Sequence, residues 1–260
     1  MSCASFESLV RKISGKADVL YFHVKGEPLL HPHLTDLLDI ARRAGFAVHL
    51  TTNGTLLEKE CASLLHKDNL EKINISLHSL PQFSKNEQKR LTASILESSE
   101  KLCEANRKTN PRFLISLRLW TKDNVGETAE GIRIIEDFYS LENGFIAGRL
   151  ESKNSMIVHP GLVIHTAETF VWPSLDGTDF GPSGWCLALR DQAGILVDGT
   201  VVPCCLDGDG IISLGNIFTS EWDEIMASPR ARGLYDGFSR RLAVEPLCQR
   251  CGFRTRFNGA

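Results

Sequence analysis

Eight cysteines stand among these 260 residues, and five of them, Cys186, Cys204, Cys205, Cys248 and Cys251, fall after position 185. Thiolates ligate borderline and soft metals and drive redox chemistry, so this group is the densest chemical signal in the chain. Cys248-Gln-Arg-Cys251 has the two-residue spacing that turns both sulfurs toward one metal. Cys204 falls where a short hairpin signal ends, so four thiolates can converge. A four-cysteine zinc site would use the same donors, yet zinc ribbons bring two close pairs and only one is present. Cys204-Cys205 is no second pair, because adjacent side chains leave a strand on opposite sides. Buried free thiols are the remaining reading. They account for Cys61 and Cys103, each inside an apolar helical stripe, better than for the C-terminal group.

The elements that must position these groups are readable from hydrophobic period. Val19 to Val24 is a β-rich run stopped by Lys25-Gly26-Glu27-Pro28. Pro32 and His33 introduce a helix with Leu34, Leu37, Leu38, Ala41 and Ala44 on one stripe, ended by Gly45. Phe46 to Thr51 is a second strand that runs into Thr52-Asn53-Gly54. The unit is strand, helix, strand, and parallel units of this kind place ligands at the carboxyl ends of their strands. The alternation continues with a helix over 55–66 capped by Thr55, a half-exposed strand over Lys72–Leu77, a helix over 86–107, a strand over Phe113–Trp120, and a helix over 127–139 with Ile132, Ile135 and Phe138 inward. Repeated βα units mean a parallel sheet covered by helices, an α/β fold. The chain nevertheless begins with a helix, Phe6, Leu9, Val10 and Ile13 sharing one face.

Past Tyr139 the period breaks, and glycine and proline cluster between Gly144 and Gly184, which suits the last strands of the first domain and a crossing into a second. Asp198-Gly199 between Gly194-Ile195-Leu196-Val197 and Thr200-Val201-Val202-Pro203 predicts a hairpin. Ser220, with Asp223 three residues on, predicts a helix entrance. An apolar fraction of 42%, 23% charged residues and a net charge of −3 describe an ordinary soluble chain with no global footprint for nucleic acid. No apolar run reaches the length of a membrane span, and no signal peptide is visible, so the reducing cytoplasm is the expected compartment. There, clustered thiols point to metal or redox chemistry rather than to disulfides.

Taken together these residues resemble the radical S-adenosylmethionine (radical SAM) enzymes that carry a SPASM or twitch-type cluster domain. Lys25-Gly26-Glu27-Pro28 is similar to the family's Gly-Gly-Glu-Pro loop, with Lys25 in place of the first glycine. Thr51-Thr52-Asn53-Gly54-Thr55-Leu56 at the next strand end strengthens the likeness. Cys186, twelve residues, Gly199, four residues, Cys204, and then Cys248-x-x-Cys251, match the C-terminal signature. The resemblance implies that Gly26, Glu27 and Pro28 bind the amino end of S-adenosylmethionine, and that Asn53, Ser76 and Arg118 contact its ribose and carboxylate. It implies one [4Fe-4S] cluster on Cys186, Cys204, Cys248 and Cys251, with Cys205 turned away. His31, His33 and His78 read as hydrogen-bonded structural histidines.

The sequence departs from that family at one point. No Cys-x3-Cys-x2-Cys triplet is present, and Cys3 is followed at those spacings by Glu7 and Val10. The resemblance therefore implies a chain that starts after the first barrel strand and its cluster loop: a partial (β/α) barrel over 1–170 and a small hairpin-bearing iron-sulfur domain over 171–260. It implies a parent enzyme that cleaves S-adenosylmethionine to a 5′-deoxyadenosyl radical for hydrogen abstraction, served by an electron donor such as flavodoxin or ferredoxin, with this chain catalytically incomplete. The sheet edge left by a missing strand is expected to lower solubility. The other class that fits is a non-catalytic iron-sulfur or zinc protein on an α/β scaffold. No residue announces a peptide, sugar or nucleotide substrate.

Overall fold

The computed structural model describes residues 1–120 and 125–257, so positions 121–124 and 258–260 of the two expected domains lie outside the described residues. The chain opens with helix α1 (Cys3–Lys12) and divides into two compact units: Ala17–Thr169, and Met1–Lys16 together with Phe170–Ala260.

In the unit Ala17–Thr169, β1 (Val19–Phe22), β2 (Ala47–Thr52), β3 (Leu70–Ser76) and β4 (Leu114–Trp120) pair in parallel, in chain order. Helices α2 (Leu34–Arg43), α3 (Leu57–Leu64) and α4 (Lys85–Asn106) make the crossovers, and α5 (Val125–Phe138) and α6 (Phe145–Ser152) follow β4. A hairpin of β5 (Ser155–His159) and β6 (Leu162–Ala167) completes the sheet, so that β6 lies parallel to β4 and β5 becomes an antiparallel edge. The opposite edge is β1. The helix α4 begins at a full capping box, Ser84 with Glu87. The α/β class and the parallel order of the first four strands are as the βα alternation predicts.

Period two along the strands makes the sheet two-faced. Val48, Leu50, Ile73, Ile75, Ile115, Leu117, Leu162 and Ile164 are wholly buried. The alternate residues, His49, Thr51, Lys72, Asn74, Ser76, Ser116, Arg118 and His165, are nearly all polar, and register sets them side by side on the other face.

Three expected details of this unit are corrected. Thr55 does not cap α3. Its backbone N–H and hydroxyl both donate to Asn53 Oδ1 (2.9 and 2.7 Å), and the helix starts at Leu57 with no side-chain cap. Phe138 is not inward: it is 36% exposed, while Ile132 and Ile135 are buried, because α5 ends at that turn. The strand expected over Lys72–Leu77 ends at Ser76, and Leu77 opens a short 3-10 turn.

In the other unit, β7 (Gly194–Ile195), β8 (Thr200–Val202) and β9 (Gly215–Asn216) form an antiparallel sheet with β8 central. The predicted hairpin is β7 and β8. The third strand, only two residues long, gives no sequence signal. Helices α7 (Trp222–Met226), α8 (Pro229–Ser239) and α9 (Pro246–Gln249) follow. Ser220 is not the cap of α7. A capping box of Glu221 and Glu224 holds it one residue later, since the Ser220 amide is used by the Asn216 carbonyl. Helix α1 is tied here by Lys12, which donates to the Ser220 carbonyl and pairs with Glu221 (3.0 and 3.1 Å), and by Lys16 with Asp223.

Candidate functional site

Two groups of candidate residues lie in different units. At the carboxyl end of the six-stranded sheet, the loop after β1 is held in an unusual backbone: Val24 and Gly26 both have positive φ (99° and 91°), costly for a β-branched residue and natural for glycine. A Cβ on Gly26 would meet nothing within 4 Å, so its backbone is open to approach. Glu27 then caps the 3-10 turn Pro28–Leu30, where proline's missing N–H costs nothing. The Glu27 carboxylate is engaged by its own chain. Oε1 accepts from the Thr52 hydroxyl at 2.6 Å and the Leu29 amide at 3.1 Å, and Oε2 accepts from the Asn53 amide at 2.8 Å. Thr52 Oγ1 in turn accepts from the Gly54 amide at 3.0 Å. This carboxylate thus joins the two strand-end loops. Thr52, which sequence reasoning passed over, is its main partner.

Asn53 is the first residue beyond β2, and its side-chain oxygen is occupied by Thr55. Ser76 ends β3 and pairs in register with Arg118, which pairs with His165, so these three form one row across β3, β4 and β6. Burial, followed by the Arg118 charge, lowers the Lys72 ammonium from its ordinary range. Burial brings His78 down to about 4, opposed by its hydrogen bond to the Arg118 carbonyl and reinforced by the Arg118 charge. A neutral His78 stacks flat on Trp120, with ring centroids 3.8 Å apart, in keeping with the structural role expected of it. The Arg118 charge thus adds to burial in lowering both Lys72 and His78.

The second group is the thiols. Cys186 precedes β7, Cys204 follows β8, and Cys248 lies in α9 with Cys251 just beyond it. Burial pushes the Cys204 thiol up to about 12, and its neighbours Cys205 and Cys186 add to this. Cys248 is raised by burial and then by Cys204, Cys186 and Cys251. Cys186 is raised by burial and by Cys251, while the amides of Ala188 and Leu187 favour its thiolate. The amides of Leu206 and Asp207 do the same for Cys204. Cys186 thus sits within electrostatic reach of Cys204 and Cys251, and Cys248 within reach of all three, while Cys205 acts on Cys204. Half-buried thiols with backbone N–H groups aimed at sulfur suit an iron-sulfur cluster, whose positive iron core reverses the repulsion that keeps them protonated.

Three residues around the thiols carry the geometry. Gly199 has φ +88°, and a Cβ there would lie 2.4 Å from Phe218 and 2.7 Å from Asn216 Oδ1, so the glycine of the motif is demanded twice. Asp207, buried, accepts from the amides of Ile211 and Ile212 at 2.9 and 2.8 Å and closes the loop after Cys205. Arg254, also buried, donates to the carbonyls of Cys248, Gly181 and Ser183. Asp207 and Arg254 carried no sequence signal, because a charged residue outside a motif normally reads as surface.

A radical SAM superfamily model matches residues 3–131, and a SPASM model, described as an iron-sulfur cluster-binding domain, matches residues 186–252. The chain belongs to the radical SAM superfamily and carries a SPASM domain. It is a radical SAM/SPASM iron-sulfur protein of a family whose reaction is the cleavage of S-adenosylmethionine, and its two domains imply [4Fe-4S] clusters and that cofactor. Among solved structures, BtrN in complex with AdoMet and 2-DOIA aligns over 97% of this chain and 80% of its own, with TM-score 0.51 and 15% identity. Native anSMEcpe with bound AdoMet aligns over 99% and 79%, with TM-score 0.51 and 14% identity. Streptococcus suis SuiB bound to S-adenosylmethionine aligns over 90% and 60%, with TM-score 0.53 and 13% identity. These likenesses show the partial-barrel fold. A curated relative, the tungsten-containing aldehyde ferredoxin oxidoreductase cofactor-modifying protein of Pyrococcus furiosus, is 35% identical over 63 residues, which are 24% of this chain and 18% of that protein. Among the described residues no helix is long and apolar enough to cross a membrane.

Proposed function

We propose that S-adenosylmethionine lies on the polar face of the six-stranded sheet, held by the backbone of Gly26, Glu27 and Pro28 and by Asn53, Ser76 and Arg118. The observation that carries this is the row Ser76, Arg118, His165 beside two strand-end loops joined through Glu27. The Arg118 guanidinium suits the cofactor's carboxylate, since a planar fork pairs such a group with two bonds. The open Gly26 backbone suits its amino end, while the Glu27 side chain keeps the loop in shape. In the other unit, Cys186, Cys204, Cys248 and Cys251 are the ligands of a [4Fe-4S] cluster, with Cys205 outside the set. That cluster, when bound, supplies one-electron chemistry or an anchor for substrate. The working division is a partial barrel over 1–170 and the cluster domain over 171–260, in a cytoplasmic protein that takes electrons from a flavodoxin- or ferredoxin-like donor.

Anaerobic reconstitution followed by equilibrium dialysis with labelled S-adenosylmethionine tests the first part. Wild-type protein should bind, and Arg118→Ala should weaken binding at least tenfold without loss of iron; unchanged affinity would remove Arg118 from the site. The second reading, a non-catalytic iron-sulfur or zinc protein, is favoured by one fact: these 260 residues contain no Cys-x3-Cys-x2-Cys triplet. Formation of 5′-deoxyadenosine by the reduced protein as it stands would set that reading aside.

A further inference from the structure

Arg254 is the one lysine or arginine that is fully buried among the described residues, 1% exposed. Its guanidinium donates to the carbonyls of Cys248 at 3.0 Å, Gly181 at 2.8 Å and Ser183. Those bonds engage all three guanidinium nitrogens but do not balance the charge, since carbonyls are neutral. A cation taken out of water is costly unless an opposite charge lies beside it. Among the described residues no carboxylate forms an ion pair with Arg254. Arg230, by contrast, is more exposed and pairs with Glu245 at 2.7 Å. The Asp179 carboxylate, which accepts from the Gly181 amide at 2.7 Å, pairs with Arg250 at 3.8 Å, and the thiols of Cys248 and Cys251 lie on the segment that Arg254 itself holds. Arg254 stands three residues after Cys251, holds the carbonyl of Cys248, and through Gly181 and Ser183 holds the segment just ahead of Cys186.

We propose that Arg254 is the counter-charge of the cluster held by Cys186, Cys204, Cys248 and Cys251, and that it raises the cluster's reduction potential as well as joining its ligand segments. This rests on the ligand set proposed above. A [4Fe-4S] core with four thiolates is anionic when oxidised and more so when reduced, so a fixed cation nearby favours acceptance of an electron from an external one-electron donor. The same side chain ties Gly181 and Ser183, just ahead of Cys186, to Cys248. It is a positioning residue: it acts through the ligands and touches no substrate.

The charge and the hydrogen bonds are separable. Arg254→Lys keeps the cation and loses the planar fork, whereas Arg254→Gln keeps a donor and loses the cation. The whole chain is reconstituted anaerobically, its iron and sulfide are counted, and the cluster is titrated with dithionite while the reduced signal is followed by electron paramagnetic resonance. With no cysteine triplet elsewhere in these residues, the signal reports one site. The lysine variant is expected to keep the cluster and to titrate close to wild type. The glutamine variant is expected to titrate at lower potential, or to hold less than half the iron of the lysine variant. Equal potentials in the lysine, glutamine and wild-type proteins would overturn the inference, as would equal losses of iron in both variants. Wild-type protein that takes up zinc and no iron would overturn it at its foundation, by removing the cluster.

Discussion

The two candidate regions are built in opposite ways. At the sheet, the functional groups stand on regular strands and the register does the positioning: Ser76, Arg118 and His165 line up because β3, β4 and β6 are parallel and in step. Around the thiols almost nothing is regular. Two of the three strands have two residues, and the sulfurs are placed by a glycine at positive φ, a buried aspartate and a buried arginine. A surface drawn from repeating elements tolerates change at one member, while a pocket drawn from irregular backbone depends on each of its few supports. Both regions are half-buried, the sheet face lined by polar side chains and the other by thiols.

That contrast is exposed most sharply by cysteine replacement. Cys248→Ser should lose most of the cluster iron, whereas Cys205→Ser should retain nearly all of it, as read by iron and sulfide analysis after reconstitution. Comparable loss in both would put Cys205 among the ligands. Next in size, Gly199→Ala should cost about 3 kcal/mol or more, since positive φ and a 2.4 Å contact with Phe218 act together. Gly15→Ala, at φ +71° in open space, should cost only about 1 kcal/mol by denaturant unfolding. Similar costs at the two glycines would mean that the pocket yields as easily as the surface.

The sheet should respond to pH instead. His78 has a folded-state value of about 4 against an ordinary 6.5, so between those values the unfolded chain binds more protons than the folded one. Stability therefore falls as pH drops from 6.5 toward 4, by about 1–2 kcal/mol once solvent screening is allowed for. His78→Phe should flatten that limb of a stability profile, and an unchanged slope would show that other groups cause it. Last is Thr52→Val, which removes one donor from Glu27 and the acceptor of the Gly54 amide and should cost about 1–2 kcal/mol, with a loss of S-adenosylmethionine affinity of a few fold. A null result on affinity would separate the loop clamp from the binding surface.

What could be read from sequence follows the same division. The βα alternation over residues 19–120 was visible because each strand alternates or buries in step with its period, and the inward-facing isoleucines of β3 and β4 have no rival arrangement. The motif cysteines were visible by type and spacing. The supports were not: Thr52 looked like turn chemistry, Asp207 and Arg254 looked like surface charges, and β9 is too short to carry a pattern. Cap assignments failed at Thr55 and Ser220 because each backbone or hydroxyl group there had a nearer partner, Asn53 in one case and Asn216 in the other. Phe138 failed because helical period says which face a residue occupies but not where the helix stops having a neighbour.

The bonds that run from Gly54 through Thr52 to Glu27, and from Asn53 to the same carboxylate, make the loops after β1 and β2 one kinetic unit. Neither loop can open to solvent alone without stranding a carboxylate oxygen or an amide. Hydrogen exchange at the Leu29, Asn53 and Gly54 amides should then proceed at a shared rate, set by the concerted opening of both loops. A small molecule resting on one loop would slow exchange in the other, even where it makes no contact there.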